Sequence, residues 1–417
     1  MRLLTSNSKA LQLLEMRANQ RSEASDPTAR RKAVRFVLLI GLLSFFADFT
    51  YEGSRSVLGP YLAVLGASAT VVGIVSGLGE LLGYGLRLAS GRWADATGMF
   101  WPTAIFGYAV QMASVPALAL TQTWPQAAAL ILLERIGKAI RNPPRDAMLS
   151  HAGKEVGGYG LVFGIHEAMD QFGAMFGPLA VAAVLADRGD YNEAFAIFLI
   201  PALINLAFVG AARLLYPRPK ELETSAANLS AEGLPGIFWL FLAGAALAAA
   251  GFADYSLIAY HLGKSRVVPS EWIAIFYAVA MAISGSGSLV FGRLFDRFGF
   301  SVLVGLTIAS AGFAPLVFLG DFWTALIGAA IWGIGMGVQE SIIPAAVAPM
   351  TSPQRRASAY GLFTAGYGVA WFLGSAAIGV LYDASLPAAI AFCVVTQLAA
   401  APIFLLVGRR VRGRGAQ

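Results

Sequence analysis

The sequence predicts an all-α membrane protein whose 12 transmembrane helices form two pseudo-symmetric bundles of six helices. Three observations predict this fold: a low charge content, a series of apolar segments of membrane-spanning length, and an internal repeat. Of the 417 residues, 57% are hydrophobic and 13% are charged, whereas ordinary globular domains carry about 25% charged residues. So little charge cannot cover the surface of a water-soluble fold. The single cysteine, Cys393, excludes a disulfide-built chain.

Twelve apolar segments are long enough to cross a bilayer, which takes about 20 mostly apolar residues, and we name them spans 1 to 12. They cover approximately residues 35–63, 67–89, 101–122, 125–148, 158–186, 192–215, 236–262, 270–291, 300–319, 322–347, 357–382 and 386–408. The alternating pattern of a membrane β-barrel is absent from the sequence. The predicted domains are an N-terminal bundle at 35–215, a polar linker at 216–235 and a C-terminal bundle at 236–408, with basic tails at 1–34 and 409–417.

The Lys and Arg residues lie mostly on one side of the predicted membrane. The two tails and the loops after even-numbered spans carry 22 of them, and the opposite loops carry only Arg188, Lys264 and Arg266. Because basic loops stay in the cytoplasm, we expect both termini to be cytoplasmic and the protein to lie in the cytoplasmic (inner) membrane. This topology accounts for the net charge of +6, so no nucleic-acid partner is expected. The N-terminal tail is predicted to be flexible, with a helix lying on anionic lipid as the alternative.

The two halves of the chain repeat each other at an offset near 201 residues. Similar motifs occur in spans 1 and 7, after spans 2 and 8, and at the start of spans 5 and 11. They are FADFT at 46–50 and FADYS at 252–256, GRWADATG at 91–98 and GRLFDRFG at 292–299, and YGL at 159–161 and at 360–362. A duplicated six-helix unit explains all three pairs.

Two six-helix halves in parallel repeat, joined by a cytoplasmic linker, resemble the major facilitator superfamily. The pattern G-x-x-x-D-x-x-G after span 2, repeated after span 8, is similar to the loop motif of that superfamily. It consists here of Gly91, Asp95 and Gly98, and of Gly292, Asp296 and Gly299. The glycines permit a tight turn. The Asp can meet a helix N-terminus or a neighbouring Arg, which would make each motif a conformational latch.

Span 5 is similar to the antiporter motif of the 12-helix drug:proton exporters in this superfamily. The matching residues are Gly164, Gly173, Gly177 and Pro178, and the match ends where Val181 and Ala182 replace a glycine pair. Small residues here would let spans 5 and 8 approach closely, and the Gly-Pro pair would kink the helix. Ordinary helix packing is the alternative. The resemblance implies export by an antiporter.

Charged side chains inside the spans must face the protein interior, because each costs at least about 2.5–3.5 kcal/mol when it faces lipid at the bilayer centre. They are Asp48, Glu52, Glu80, Glu134, Glu167, Asp170, Asp254, Glu340, Arg55, Arg87, Arg135, Lys138 and Arg141. Helical spacing places Asp48, Glu52 and Arg55 on one face of span 1, and Glu134, Lys138, Arg141 and Arg145 on one face of span 4.

Some of these charges have plainer explanations. The alternative for two of the pairs is a permanent structural ion pair: Glu52 with Arg55, and Glu134 with Lys138. Arg87 and Arg141, near the cytoplasmic ends, could extend to the membrane surface. His166 is either a proton relay or a hydrogen-bonded packing residue.

A carboxyl group poised between burial and a nearby Arg can bind and release a proton. The residues predicted to couple proton movement are Asp48, Glu52, Glu167, Asp170 and Arg135. The residues predicted to bind substrate are Tyr51, Arg55, Glu134, Lys138, Asp254, Tyr255, Trp332, Gln339, Glu340, Tyr367 and Trp371.

In the repeat, Tyr367 and Trp371 replace His166 and Asp170, so the first half is predicted to handle protons and the second to offer a less polar surface. The alternative to substrate binding for Trp332 and Trp371 is that they face lipid or pack between helices.

The sequence carries no enzyme motif. Its three His and one Cys show no zinc-ligand spacing, and there is no phosphate-binding loop. We therefore expect no catalytic residue, metal or cofactor.

The expected function is proton-coupled export of a small organic compound by a monomer in the lipid bilayer, through alternating access. The alternatives are a proton-coupled symporter that takes up an organic anion through Arg55, Arg135 and Lys138, and a lipid or lysolipid flippase of the same fold. A membrane-embedded sensor or enzyme is the least supported.

Overall fold

The computed structural model is helical, without strands, in the part of the chain that it describes. It describes the backbone of residues 27–156, 159–217, 234–347, 350–351 and 356–415, and their side chains except those of 27–30, 151–161, 289, 356–358 and 413–415. Most of the N-terminal tail and of the linker, and the end of the C-terminal tail, lie outside these residues. The side chains of the repeat motif at 159–161 do so too.

The predicted spans correspond to helices, several of which are interrupted. In the first half they are Pro27–Arg55 and Leu58–Val64 (span 1), Ala69–Thr97 (span 2), Phe100–Ala117 and the 3₁₀ turn Leu118–Leu120 (span 3), Trp124–Val156 (span 4), Tyr159–Arg188 (span 5), and Tyr191–Ala196 and Leu199–Leu215 (span 6). In the second half they are Gly236–Ala250 and Tyr255–Ser265 (span 7), Ser270–Phe298 (span 8), Phe300–Ala311 and Phe313–Leu319 (span 9), Phe322–Gly337, the π-helical Val338–Ile342 and Ile343–Ala345 (span 10), Arg356–Ala384 (span 11), and Leu386–Gly415 (span 12).

Eleven of the described helical segments are long and apolar enough to cross a membrane. They match every predicted span except span 4, whose helix Trp124–Val156 is present but is less apolar than the others because it carries several charged residues. The 33-residue helix Trp124–Val156 carries Glu134, Arg135, Lys138 and Arg141 in its middle. Glu134, Arg135 and Arg141 are buried among neighbouring helices, which explains how a helix of such low hydropathy is accommodated.

Both copies of the loop motif end their helices with a glycine in the left-handed region. Gly98, after span 2, has a φ of +67°, and Gly299, after span 8, has a φ of +62°. Glycine adopts such angles without the steric penalty of a Cβ atom, so the predicted tight turns are confirmed at these two positions. Asp296 is exposed, and Asp95 is half-buried. The latch role of the two motifs stays a prediction.

The two halves of the chain meet along two pairs of long helices. Span 2 packs against span 11, span 5 packs against span 8, and the short helix Leu58–Val64 packs against Tyr255–Ser265. The approach is closest at one end of the molecule, where a Cβ atom on Gly59 would lie 1.8 Å from the carbonyl oxygen of Ser256, and one on Gly73 would lie 2.3 Å from that of Ser375. Only glycine allows backbones to come so near. We call this region the closed end.

Asp383 joins the two halves at the closed end. Its carboxylate, at the end of span 11, accepts hydrogen bonds from the backbone N–H of Ala69 (3.2 Å) and of Thr70 (2.8 Å), and from the Thr70 hydroxyl (2.7 Å). These N–H groups open span 2 and have no partner within their own helix. A residue of the second half therefore caps a helix of the first half.

We predict that Asp383→Ala opens the closed end more often, because the cap between the halves is lost. Loss of a helix cap costs about 1 kcal/mol, which corresponds to a population shift of roughly fivefold. The measurement is the rate at which a hydrophilic maleimide labels Ser375→Cys, a buried position in this interface. The native Cys393 is buried as well, so background labelling is expected to be low.

The matched control is Asp321→Ala. Asp321 caps span 10 through the N–H of Thr324 at 3.0 Å, within the second half alone. Its loss is expected to leave the labelling rate unchanged. Equal labelling in the Asp383→Ala variant and the unsubstituted protein would show that this cap does not hold the halves together.

Candidate functional site

A cavity of about 430 Å³ lies between the two halves of the chain. Spans 1, 2, 4 and 5 form one wall, and spans 8, 10 and 11 form the other. The first wall is lined mainly by charged and polar side chains, whereas the second contributes Met281, Met336, several aromatic rings and one charged residue, Glu340. The cavity therefore offers a charged surface and a largely apolar surface to whatever it holds.

Arg55 is the centre of an ion-pair network that crosses from one half to the other. One of its Nη atoms lies 2.7 Å from a carboxylate oxygen of Asp254 in span 7 and 3.2 Å from one of Glu80 in span 2. Glu80 also lies 3.0 Å from an Nη atom of Arg135 in span 4. Arg55 is only 2% exposed, and a buried charge is tolerated only when it is closely paired. The cross-half pair Arg55–Asp254 is therefore a strong constraint on this conformation.

Glu52 makes a second bond between the halves, one helical turn away. Its carboxylate accepts a hydrogen bond from the hydroxyl of Tyr277 in span 8, and it lies 3.9 Å from Arg55. Tyr277 is fully buried, with its ring centroid 4.3 Å from that of Tyr255. Glu52 and Arg55 lie one turn apart on the same face of span 1, and both bind side chains of the second half.

Asp48 lies between two cations of span 4. Its carboxylate is 3.9 Å from the ammonium group of Lys138 and 3.6 Å from the guanidinium group of Arg141. The ammonium group of Lys138 lies 3.5 Å from the ring centroid of Tyr51, a cation–π contact. Arg141 donates to the side chains of Gln111 at 2.5 Å and Tyr108 at 3.1 Å, so it is fixed in place from both sides.

A third cluster surrounds His166 in span 5. Its Nε2 atom lies 2.7 Å from the hydroxyl of Ser44, and its Nδ1 atom lies 3.5 Å from the carboxylate of Asp170. His166, Glu167 and Asp170 each offer a ligand atom within 4.8 Å of the other two. A proton could pass between these atoms through one bridging water, and their donor set also fits a divalent cation. The imidazole is hydrogen-bonded, as both interpretations of His166 require.

The cavity brings together all five residues predicted to couple proton movement. Of the residues predicted to bind substrate, seven line it: Tyr51, Arg55, Lys138, Gln339, Glu340, Tyr367 and Trp371. The other four, Glu134, Asp254, Tyr255 and Trp332, are buried behind the lining. They do not line the cavity in this conformation and support its wall instead, and their contact with substrate stays a prediction.

The four buried residues have protein partners. Glu134 accepts a hydrogen bond from Gln111 at 2.8 Å. Asp254 pairs with Arg55 and accepts from the N–H of Ser256 at 2.9 Å, which caps the second segment of span 7. The Tyr255 hydroxyl and the Trp332 indole donate to backbone carbonyl groups, at 2.7 and 2.9 Å. All four polar groups are satisfied without a ligand.

Two interpretations of the buried charges are corrected by these contacts. Lys138 pairs with Asp48, not with Glu134, whose cationic neighbour is Arg135 at 3.7 Å. Helix spacing alone suggested the Glu134–Lys138 pair, but Asp48 on span 1 competes for the ammonium group. Arg141 does not extend to the membrane surface, because its side chain is fully buried against Tyr108 and Gln111.

The glycines of the span 5 motif face span 1 and not span 8. A Cβ atom on Gly173 would lie 2.4 Å from the carbonyl oxygen of Phe45, and one on Gly177 would lie 2.1 Å from that of Phe49. Gly164 has open space around it. Span 5 meets span 8 elsewhere, where Gly285 lies against Gln171. The expected approach of spans 5 and 8 through these glycines is therefore wrong.

Two important residues were absent from the predicted site. Glu80 bridges Arg55 and Arg135, and its spacing with Tyr84 and Arg87 (i, i+4, i+7) places all three on one face of span 2, a signal that the sequence does contain. Tyr277 is different, since a lone tyrosine in an apolar span carries no sequence signal for a bond to a carboxylate 225 residues away.

Comparisons with known proteins agree on one family. A family model described as Major Facilitator Superfamily matches residues 38–338 and 258–417. An uncharacterized protein of Mycobacterium tuberculosis is 39% identical over 375 residues, which are 88% of this chain and 91% of that protein. An uncharacterized MFS-type transporter of Methanocaldococcus jannaschii is 26% identical over 85% of this chain and 90% of its own length. A crystal structure of a mutant of the nucleoside transporter NupG aligns with a TM-score of 0.72 at 16% identity, over 91% of this chain and 99% of that chain.

We predict that Glu80→Gln lowers the stability of the protein strongly. Removing one partner of a buried ion pair costs about 3–5 kcal/mol, and here two arginines lose the same carboxylate. The measurement is the thermal unfolding midpoint of the purified protein in detergent.

The control for Glu80 is Glu193→Gln, which removes the exposed pair with Arg188 at 3.0 Å. Exposed pairs contribute about 0–1 kcal/mol, so little change is expected. If the two variants unfolded at the same temperature, Glu80 would not be holding the two arginines.

Proposed function

The chain belongs to the Major Facilitator Superfamily of secondary transporters, and from that premise we propose that it exchanges protons for a small organic compound that it exports. The observation that carries the proposal is an excess of carboxyl groups in and around the cavity. Eight carboxyl groups, Asp48, Glu52, Glu80, Glu134, Glu167, Asp170, Asp254 and Glu340, stand against six cations, Arg55, Arg87, Arg135, Lys138, Arg141 and Arg145. Unpaired negative charge is costly away from water, so protons or a cationic partner must balance it.

Protons bound by the surplus carboxyl groups can control the contacts between the halves. Glu52 lines the cavity and also accepts the hydrogen bond from Tyr277. A protonated Glu52 is a weaker acceptor and no longer attracts Arg55. Protonation would therefore loosen the bonds that span 1 makes to the second half and favour opening of the closed end. This is the link between proton binding and alternating access that an antiporter needs.

The orientation of the chain supports an inward-open conformation. The closed end contains the loop after span 1 and the end of span 11, which the Lys and Arg asymmetry assigns to the outer side. The proposal therefore includes cytoplasmic termini, a cytoplasmic (inner) membrane and two six-helix bundles, 35–215 and 236–408, that rock about the cavity. The similarity of span 5 to the exporter motif supports export.

A proton-coupled symporter for an organic anion is the second candidate. The observation that favours it is Lys138, whose ammonium group lies in the cavity wall with its nearest carboxylate at 3.9 Å. An anion could displace Asp48 from this ammonium group. The first candidate accounts for more of the site, because it explains the surplus of carboxyl groups.

The two candidates are separated by the direction of proton movement. The protein is reconstituted in liposomes that contain a pH-sensitive dye, a pH gradient is imposed, and candidate compounds are added outside. Antiport predicts that protons move opposite to the compound. Movement of both in the same direction would refute antiport and favour the symporter.

We predict that Glu52→Gln lowers proton-coupled transport at least about a hundredfold, the lower end of the range for loss of a group that transfers a proton. Exchange of labelled for unlabelled substrate, which needs no net proton movement, is expected to continue, because the amide keeps the shape of the site. The comparison of these two rates is the measurement.

The matched control for Glu52 is Glu271→Gln, at the start of span 8 and outside the cavity lining. It is expected to leave both rates unchanged. If Asp48→Asn and Glu52→Gln both left coupled transport intact, the assignment of the proton site to span 1 would be wrong.

A further inference from the structure

We propose that the substrate is an organic cation with a flat, mostly apolar body, held through its ammonium group by Glu340 and through its body by an aromatic wall. We define the aromatic wall as Phe363, Tyr367 and Trp371, which repeat at i, i+4 and i+8 on one face of span 11. The inference rests on the proposed function in one respect, namely that the cavity is the transport site.

Glu340 differs from most carboxyl groups of the first wall. It is exposed to the cavity, and no described cation lies within ion-pair distance of it. Asp48, Glu52 and Glu80, in contrast, each lie within 4 Å of a cation, and the exposed Glu167 accepts a hydrogen bond from Gln171 at 2.9 Å. The π-helical turn Val338–Ile342 contains Glu340, and such turns occur often at functional sites because they redirect side chains. Glu340 is thus an available anionic group on the otherwise apolar wall.

The aromatic wall lies beside this carboxyl group in the same cavity. Tyr367 stacks on Phe363 at a centroid distance of 5.6 Å and meets Trp371 edge-on at 5.8 Å. Tyr84, from the opposite wall, meets Tyr367 at 6.0 Å. Aromatic rings bind both flat apolar groups and ammonium groups, the latter through their electron-rich faces. Met281 and Met336 add adaptable apolar surface.

Most cations of the cavity are unavailable to an anionic ligand. The side chains of Arg55, Arg135, Arg141 and Arg145 are 3%, 7%, 1% and 8% exposed, and each lies within 4 Å of a carboxylate. Lys138 is more accessible but lies on the ring of Tyr51. Arg87 has no described carboxylate within 4 Å and lies near the ring of Tyr84, at 5.8 Å. On the second wall, the accessible unpaired charge is that of Glu340 and is negative.

A second observation also indicates a ligand at this wall. Trp371 is 2% exposed and lines the cavity, and its indole N–H has no acceptor among the described residues. A buried donor without a partner is unfavourable, because it has lost its hydrogen bonds to water. An oxygen on the substrate body would satisfy it. The structure thus favours an amine that also carries an ether, hydroxyl or carbonyl oxygen.

The test uses pairs of compounds with the same ring and opposite charge. The first pair is 5-methoxytryptamine and 5-methoxyindole-3-acetate, and the second is dopamine and 3,4-dihydroxyphenylacetate. Binding to the purified full-length protein at neutral pH is measured by calorimetry. We expect at least one amine to bind at least about tenfold more tightly than its acid, since a tenfold ratio corresponds to about 1.4 kcal/mol. Acids that bind as tightly as the amines, or two amines that do not bind, would overturn the proposal.

Variants assign the binding to the residues named. Glu340→Gln is expected to weaken amine binding at least about tenfold, Glu340→Asp to retain much of it, and Glu271→Gln to leave it unchanged. Phe363→Leu tests the wall without touching the charge and is expected to weaken amine and neutral ring compounds alike. Wild-type amine affinity in Glu340→Gln would contradict the assignment. The unfolding midpoint of each free variant shows whether it is folded.

The outcomes separate this inference from the proposed function. Amine binding that depends on Glu340, without proton movement in liposomes, would support the substrate class and refute antiport. Proton-coupled transport of other compounds, with no amine binding, would support antiport and refute the substrate class.

Discussion

The ion pair between Arg55 and Asp254 is the interaction on which the rest of the site depends. It joins span 1 to span 7 at 2.7 Å in a buried environment, where neither charge is stable alone. Glu80 approaches the same arginine at 3.2 Å and recruits Arg135. Opening of the closed end must either break this pair or supply another partner for each charge. The conformation is therefore tied to the charge state of the network.

Under the proposed function, the surplus of carboxyl groups turns this constraint into a means of transport. If every cation had one carboxylate, the network would be a permanent lock. Here Glu340 on one wall and Glu167 and Asp170 on the other line the cavity with no described Lys or Arg within 4 Å. In the proposed antiport, protons and substrate supply the compensating positive charge by turns, which would couple two fluxes in opposite directions.

The sequence predicted the helices and most of the charged residues of the cavity lining, because both depend on local patterns. Apolar length located the spans, and helical spacing placed Asp48, Glu52 and Arg55 on one face. It could not predict which charges pair, because that depends on neighbouring helices: Lys138 turns to Asp48 on span 1, and not to Glu134 one turn away on its own helix. For the same reason the glycines of span 5 suggested the wrong neighbour. The bond between Glu52 and Tyr277 depends entirely on tertiary structure.

The repeat explains why the two walls of the cavity differ. A duplicated unit would begin with equal walls, yet Tyr367 and Trp371 stand where the first half has His166 and Asp170. At these positions the first copy carries titratable groups and the second carries aromatic rings. A wall of paired charges resists ligand binding, because a ligand must displace a partner that is already close, whereas an aromatic surface beside a single carboxylate has no such competitor. Under the proposed function, this asymmetry would assign most of the proton handling to one wall and the contact with an apolar substrate body to the other, within a single cavity.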